Sequence, residues 1–309
     1  MIERQFWLDS GFRTGVKIKF EIFGSGFLAH EILNFYSANY PNLFVYLSPR
    51  SFLYAHANSR DFQMDQIKEF SLRRPDFLIN AAGPTSIPDS FLYPDDYLKV
   101  PSSLTRFLVD ASEYIGNEVT ILQISTASVY GDCSDEIASE ETQLNPLSPY
   151  ALGKARADDN LAVSNSKWLI LRATSIYSDA LNKRVLGRLR NGLINSEHVT
   201  LGGTGYELRD FMHVNDFSRA LLTLAVNKKS IHNVFLVGCG SSLQIAQVAD
   251  IAMSSFANRG GGFSVEFDQS TRLGDPFAMS VDISKSRLFN FDPMIAPVGG
   301  LSQYFGASF

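Results

Sequence analysis

The sequence predicts an α/β fold, and three observations carry that prediction. Residues 16–23 alternate apolar side chains with Lys17, Lys19 and Glu21, enter Gly24-Ser25-Gly26, and continue as a helical stretch to Ser37. That order is strand, glycine turn, helix. Short apolar runs that read as further strands recur at 43–47, 77–79, 119–124 and 168–171. A chain of 309 residues with 45% hydrophobic side chains can fill one large α/β unit or two lobes.

The glycine turn supplies the first candidate site. Bare glycines between a strand and a helix let the backbone approach a pyrophosphate at a helix N-terminus, so Gly24, Gly26, Phe27 and Leu28 are candidate dinucleotide contacts. A second strand follows at 43–47, a third is placed loosely around 54–57, and Arg74-Pro75-Asp76 leads into a fourth at 77–79. An NAD site usually places a carboxylate at the end of the second strand, about twenty residues past the turn, for the adenosine ribose hydroxyls. No Asp or Glu occurs from Asn34 through Arg60. Ser48-Pro49-Arg50 offers instead a hydroxyl and a guanidinium, the groups that accommodate a 2′-phosphate. NADP(H) is therefore expected in preference to NAD(H).

The run at 119–124 ends in Ser125-Thr126, and Ser148-Pro149-Tyr150-Ala151-Leu152-Gly153-Lys154 follows. Ser-Pro starts a helix well, and a helix puts Tyr150 and Lys154, four apart, on one face. An ammonium roughly 5 Å from a phenol, at an effective dielectric of ~20, is worth about 3 kcal/mol, enough to lower a tyrosine pKa by about two units. Protons can then move near neutral pH. A strand at 168–171 leads to Arg172-Ala173-Thr174-Ser175-Ile176-Tyr177, and residues 233–240 read as another strand and turn. Residues 1–15 precede the first strand, with Phe6, Trp7, Leu8 and Phe12 suited to packing.

Taken in order, these stretches resemble the extended short-chain dehydrogenase/reductases, or NAD-dependent epimerase/dehydratases, typified by UDP-glucose 4-epimerase. The likeness spans residues 16–304 and is most specific at Tyr150 and Lys154 and at Gly202-Gly203 with Arg209-Asp210-Phe211 and Val214-Asn215-Asp216. It implies a Rossmann-type doubly wound parallel sheet with a smaller C-terminal substrate lobe. The cofactor domain would take 1–175 with 206–255 returning to it, and the lobe 176–205 and 256–309. It further implies Tyr150 as general acid/base, Lys154 as the cation that lowers its pKa and holds the nicotinamide ribose, and Thr126 as the hydrogen-bond partner of the reacting oxygen. Asp61 and Phe62 match the pair that borders the adenine, and Asn80 with Ala81, Ala82 and Gly83 matches the turn beneath the nicotinamide ribose. Arg209 and Arg272 correspond to arginines that neutralise a nucleotide-sugar diphosphate, with Asp275 supporting them; Ser128 and Ser175 are candidate substrate contacts. Two subunits would pair as a homodimer through helices at 95–114 and 149–163.

Departures from the family pattern are as informative. Phe23 and Ala29 stand where the first and third glycines would be, and Ser175 where asparagine is common. Dehydratases of this type follow the active-site threonine with Asp-Glu, but Thr126 is followed by Ala127 and Ser128, so dehydration is disfavoured. Epimerisation at carbons 3 and 5 uses a cysteine near this position, and Cys133 comes too late. Reduction of a 4-keto sugar remains, ahead of 4-epimerisation; a non-catalytic NADP(H)-binding protein is the third reading. His213 and the other histidines are expected to be structural, since the tyrosine fills the proton-transfer role.

Composition excludes other classes. No apolar run approaches the ~18 residues of a membrane span, and Met1-Ile2-Glu3-Arg4-Gln5 lacks the order of a signal peptide, so a cytoplasmic protein is expected. The two cysteines, Cys133 and Cys239, have neither disulfide-framework nor metal-ligand spacing and are expected to pack. A net charge of −5 without a basic block argues against nucleic acid as a partner.

Overall fold

The computed structural model describes residues 17–48, 60–116, 118–180, 183–256 and 263–307. The expected strand at 54–57, Arg50 and residues 1–15 lie outside the described residues. The first half of the chain runs β1 (Ile18–Phe23), α1 (Phe27–Asn39), β2 (Leu43–Ser48), α2 (Arg60–Ser71), β3 (Phe77–Asn80), α3 (Ile87–Leu92), α4 (Pro94–Ile115), β4 (Thr120–Thr126), α5 (Pro149–Ala162) and β5 (Lys167–Ala173). It continues with β6 (Ser175–Tyr177), α6 (Arg184–Asn195), β7 (His198–Leu201), β8 (Leu208–His213), α7 (Val214–Val226), β9 (Asn233–Val237) and β10 (Ser242–Gln244). The remainder is α8 (Ile245–Phe256), β11 (Ser264–Phe267), β12 (Ala278–Met279), α9 (Ser284–Leu288) and α10 (Pro297–Gly306).

One sheet has the order β2-β1-β3-β4-β5-β9, and every neighbouring pair is parallel. Parallel strands need helical crossovers, which cover both faces. The strands divide accordingly with a period of two. Ile22, Leu122, Ile124 and Leu171 pack with Ile32 and Tyr36 of α1 and Phe217 and Leu221 of α7. Phe23, Ile121 and Ile170 turn the other way, toward Phe107 and Ala111 of α4 and Leu161 of α5. This is the doubly wound Rossmann-type arrangement expected.

Burial on both faces corrects the simple reading of β1. Its alternation with lysine and glutamate suggests one wet face, yet Glu21 is 0% exposed. The strand lies between β2 and β3, so its carboxylate is served internally: Arg73 donates through Nε and Nη2, and Ser48 through its hydroxyl. A buried charge persists only with such compensation.

The second lobe has its own core. Strands β6, β10 and β12 pair with β8, and β7 pairs with β11. Leu189 and Leu193 of α6, Val248 and Ala252 of α8, and Leu301 and Tyr304 of α10 pack together with Tyr177 and Phe211. Helix α7 and strand β9 join the first core, while β10 and α8 pack in the second. Among the described residues, no helix is long and apolar enough to cross a membrane.

Helices α4 and α5 cross closely enough to require a glycine. A Cβ on Gly153 would fall 1.9 Å from the Tyr97 carbonyl oxygen. Gly153→Ala is expected to force the helices apart at a cost of about 1–3 kcal/mol. A urea midpoint indistinguishable from the wild type would refute this account.

Candidate active site

Strand β4 ends at Ser125 and Thr126, and α5 begins opposite it. Ser148 caps α5 by accepting from the Ala151 N–H at 3.2 Å, and Pro149 fits the first turn, where no N–H is needed. Tyr150, Lys154 and Asp158 then follow at four-residue spacing along one helix face. The Ser128 N–H donates to Thr126 Oγ1 at 3.2 Å, and Thr126 Oγ1 donates to Ser128 Oγ at 3.1 Å. The Tyr97 ring meets that of Tyr150 edge-on, at 6.4 Å between centroids.

The electrostatics differ from the expectation that Lys154 alone lowers the Tyr150 pKa. Burial raises the phenol above its ordinary value; the Arg184 charge and the Thr126 hydroxyl oppose it. Lys154 is buried, its Nζ donates to the Ile124 carbonyl at 3.0 Å, and burial lowers its pKa against the attraction of Asp158. Asp158, 1% exposed, accepts from Ser125 Oγ at 2.8 Å and Arg172 Nε at 3.2 Å, while Arg172 Nη1 donates to Tyr130 Oη at 2.8 Å. Burial nevertheless pushes the Asp158 carboxyl up to about 6. The ammonium thus shares its field with a carboxylate, and the Arg184 charge lowers the phenol's pKa against burial.

The glycine turn fits a pyrophosphate. Gly24 has φ of 145°, and a Cβ there would fall 2.7 Å from the Ala81 carbonyl oxygen, so this glycine brings the turn against the loop after β3. At Gly26 a Cβ would meet nothing within 4 Å, and α1 starts there with neither a side-chain cap nor an acidic residue in its first turn. An open helix N-terminus of this kind accepts an anion. Phe27 and Leu28 form its first turn. Phe23 and Ala29 are buried in the packing, which explains the loss of glycine there.

The loop after β3 is anchored by Asn80, whose Nδ2 donates to Gln123 Oε1 at 2.8 Å and whose Oδ1 accepts from the Ala82 N–H at 3.3 Å. Ala81 and Ala82 lie beside the glycine turn, with Gly83 at φ of 115°. Ser48 closes β2, its hydroxyl committed to Glu21. Asp61 and Phe62 fall within α2, with side chains outside the described residues.

In the second lobe, Arg209 Nη2 donates to Asp275 Oδ1 at 2.8 Å, and Arg272 lies 3.5 Å from Asp275 Oδ2. Asp210 is not paired with Arg209; it accepts from Thr174 Oγ1 and the N–H groups of Cys239, Gly240 and Ser241. Ser175 lies in β6, in register with Phe211. His213 accepts the Asn215 N–H at the start of α7 and packs edge-on against Tyr177. Sequence reasoning missed Asp158, Tyr97 and Arg184. Asp158 repeats the four-residue spacing from Lys154 and was there to be found; Arg184 belongs to no motif.

Comparisons with known proteins agree with this layout. A dTDP-glucose 4,6-dehydratase from Streptomyces niveus is 25% identical over 237 residues, covering 74% of this chain and 68% of that protein. The Thermus thermophilus UDP-glucose 4-epimerase complex with NAD is similar in fold, with a TM-score of 0.79 at 20% identity, over 94% of this chain and 99% of that one. RMD from Pseudomonas aeruginosa complexed with NADPH gives 0.77 at 18% identity, over 95% and 99%. Residues 26–238, more than half of the chain, match one family description from the start of α1 through β9, including the Tyr150 helix. The chain belongs to the NAD dependent epimerase/dehydratase family.

Proposed function

We propose that this protein transfers hydride between a nicotinamide dinucleotide and a carbon of a nucleotide-diphosphate sugar, with Tyr150 as the acid/base. The observation that carries this reading is the α5 face that bears Tyr150 and Lys154 and is tied to the end of β4 by the bond from Lys154 Nζ to the Ile124 carbonyl. The dinucleotide, when bound, supplies or accepts the hydride. Tyr150 Oη gives a proton to the sugar oxygen or takes one from it, and Thr126 hydrogen-bonds that oxygen. Lys154 supplies positive charge one turn along and holds the ribose, with Ala81, Ala82 and Gly83 below it. Gly24, Gly26, Phe27 and Leu28 receive the pyrophosphate. Arg209 and Arg272 face one carboxylate, Asp275, and the surplus positive charge suits a diphosphate.

Elimination of water calls for a further acid and base beside Thr126. The residues there are Ala127 and Ser128, in one short turn (Ala127–Tyr130), so hydride transfer without elimination is the reading. Within it, reduction of a 4-keto sugar by NADPH rests on the guanidinium of Arg50. One observation favours the second reading, an NAD-dependent 4-epimerase. The Ser48 hydroxyl already donates to Glu21, which leaves it lone pairs for a ribose hydroxyl and no proton for a phosphate.

Fluorescence titration of both cofactors into wild type and Arg50→Ala tests the choice. If Arg50 pairs with a 2′-phosphate, the variant loses about ten- to a hundredfold in NADPH affinity, as for a charge-assisted hydrogen bond, and NADH affinity barely moves. Equal losses for both cofactors, or a wild type that prefers NADH, would select the epimerase.

A further inference from the structure

We propose that Arg184, at the start of α6 in the second lobe, is a positioning residue for proton transfer, a cation that the substrate side of the cleft supplies to the Tyr150 phenol. This rests on the reading of Tyr150 as the acid/base and adds a group that lies outside the α5 motif. Arg184 Nη2 donates to the Thr85 carbonyl at 3.1 Å, across 99 residues of sequence. Thr85 belongs to the loop after β3, and the next residue, Ser86, donates its N–H to Tyr97 Oη at 3.2 Å. Tyr97 in turn packs its ring edge-on against Tyr150. Contacts therefore run without a break from the second lobe, through the nicotinamide-side loop, to the catalytic ring.

Arg184 holds this place at φ of 58°, in the left-handed region that an arginine rarely adopts. Such backbone persists where surrounding contacts over-determine it, and it concentrates at functional sites. Charge gives the contact its consequence. The groups that bear on the phenol are Thr126 from β4, Tyr97 from α4, Asp158 from α5 and Arg184 from α6, with Lys154 one turn on from Tyr150 along α5. Lys154 is drawn to the Ile124 carbonyl and to Asp158, whose negative charge works against the phenolate. Arg184 makes no ion pair among the described residues; its side chain is exposed, so solvent weakens its field on Tyr150 without a neighbouring acid cancelling it. The phenol then gives up its proton most readily, by charge stabilisation of its phenolate, only while the second lobe holds Arg184 against Thr85.

The test is a pH titration of tyrosinate ultraviolet absorbance on the NAD-bound protein. The Tyr150 component is isolated by subtracting the matching Tyr150→Phe protein in each background. Arg184→Gln is expected to raise the Tyr150 midpoint by about half a pH unit, the order of effect for one nearby charge screened by solvent, and Arg184→Lys to restore most of it. An unmoved midpoint in Arg184→Gln would overturn the proposal. So would an equal shift in Arg184→Lys, which would trace the effect to packing, or a wild-type phenol that does not ionise before the protein unfolds. The parent reading fails separately, if Tyr150→Phe retains turnover.

Discussion

Replacing Tyr150 by Phe is expected to lower turnover by about a hundredfold or more while leaving cofactor affinity nearly intact. The ring, its edge-on contact with Tyr97 and the α5 backbone all remain, and only the phenol hydroxyl with its transferable proton is lost. A positioned general acid/base contributes ~10²–10⁴-fold to a rate. One hydrogen bond contributes only about 1 kcal/mol to stability, so the variant stays folded. The measurement is steady-state turnover of UDP-glucose or dTDP-glucose with NAD, and of their 4-keto derivatives with NADPH, beside cofactor titration. A variant as fast as the wild type would remove Tyr150 from the chemistry; one that no longer binds cofactor would make the residue structural.

Asp158→Ala is expected to produce the largest loss of stability, about 3–5 kcal/mol, because it strands two buried cations. Lys154 and Arg172 are each buried, and Asp158 is the carboxylate that attracts both. Asp158→Asn keeps the volume and the acceptor for Ser125 and Arg172 and should cost less. The pH dependence has a definite sign. The native carboxyl titrates near about 6, above the ~3.9 of an unfolded aspartate. Between these values the native state binds more protons than the unfolded state, so this group's contribution to stability falls as pH rises toward 6. Relative to Asp158→Asn, the wild type should therefore gain stability on going from about pH 7 to about pH 5, read as urea midpoints. The opposite slope would show that the ion pairs outweigh burial at this site.

Local patterns in the chain determined a good part of this protein. The strand and glycine turn of 18–26, the capped start of α5 at Ser148 and Pro149, and the shared face of Tyr150 and Lys154 all follow from spacing within one or two turns of chain. Backbone geometry repeats every few residues, so such features are legible without knowing the partners. Runs of apolar residues likewise marked the strands of a buried sheet, and the match to the family spans β2 through β9.

Tertiary structure decided what those residues touch. Glu21 looks solvated until β2 and β3 enclose its strand and bring Ser48 and Arg73, 27 and 52 residues on, to its carboxylate. Arg209 sits beside Asp210 in sequence but pairs with Asp275, because β12 lies next to β8 and delivers that loop. Lys154 spends its charge on Ile124 and Asp158, whereas Arg184 reaches the Thr85 carbonyl, 99 residues away in sequence. Charges and buried donors take the nearest partner in space, and only the topology that packs distant segments together sets which partner is near.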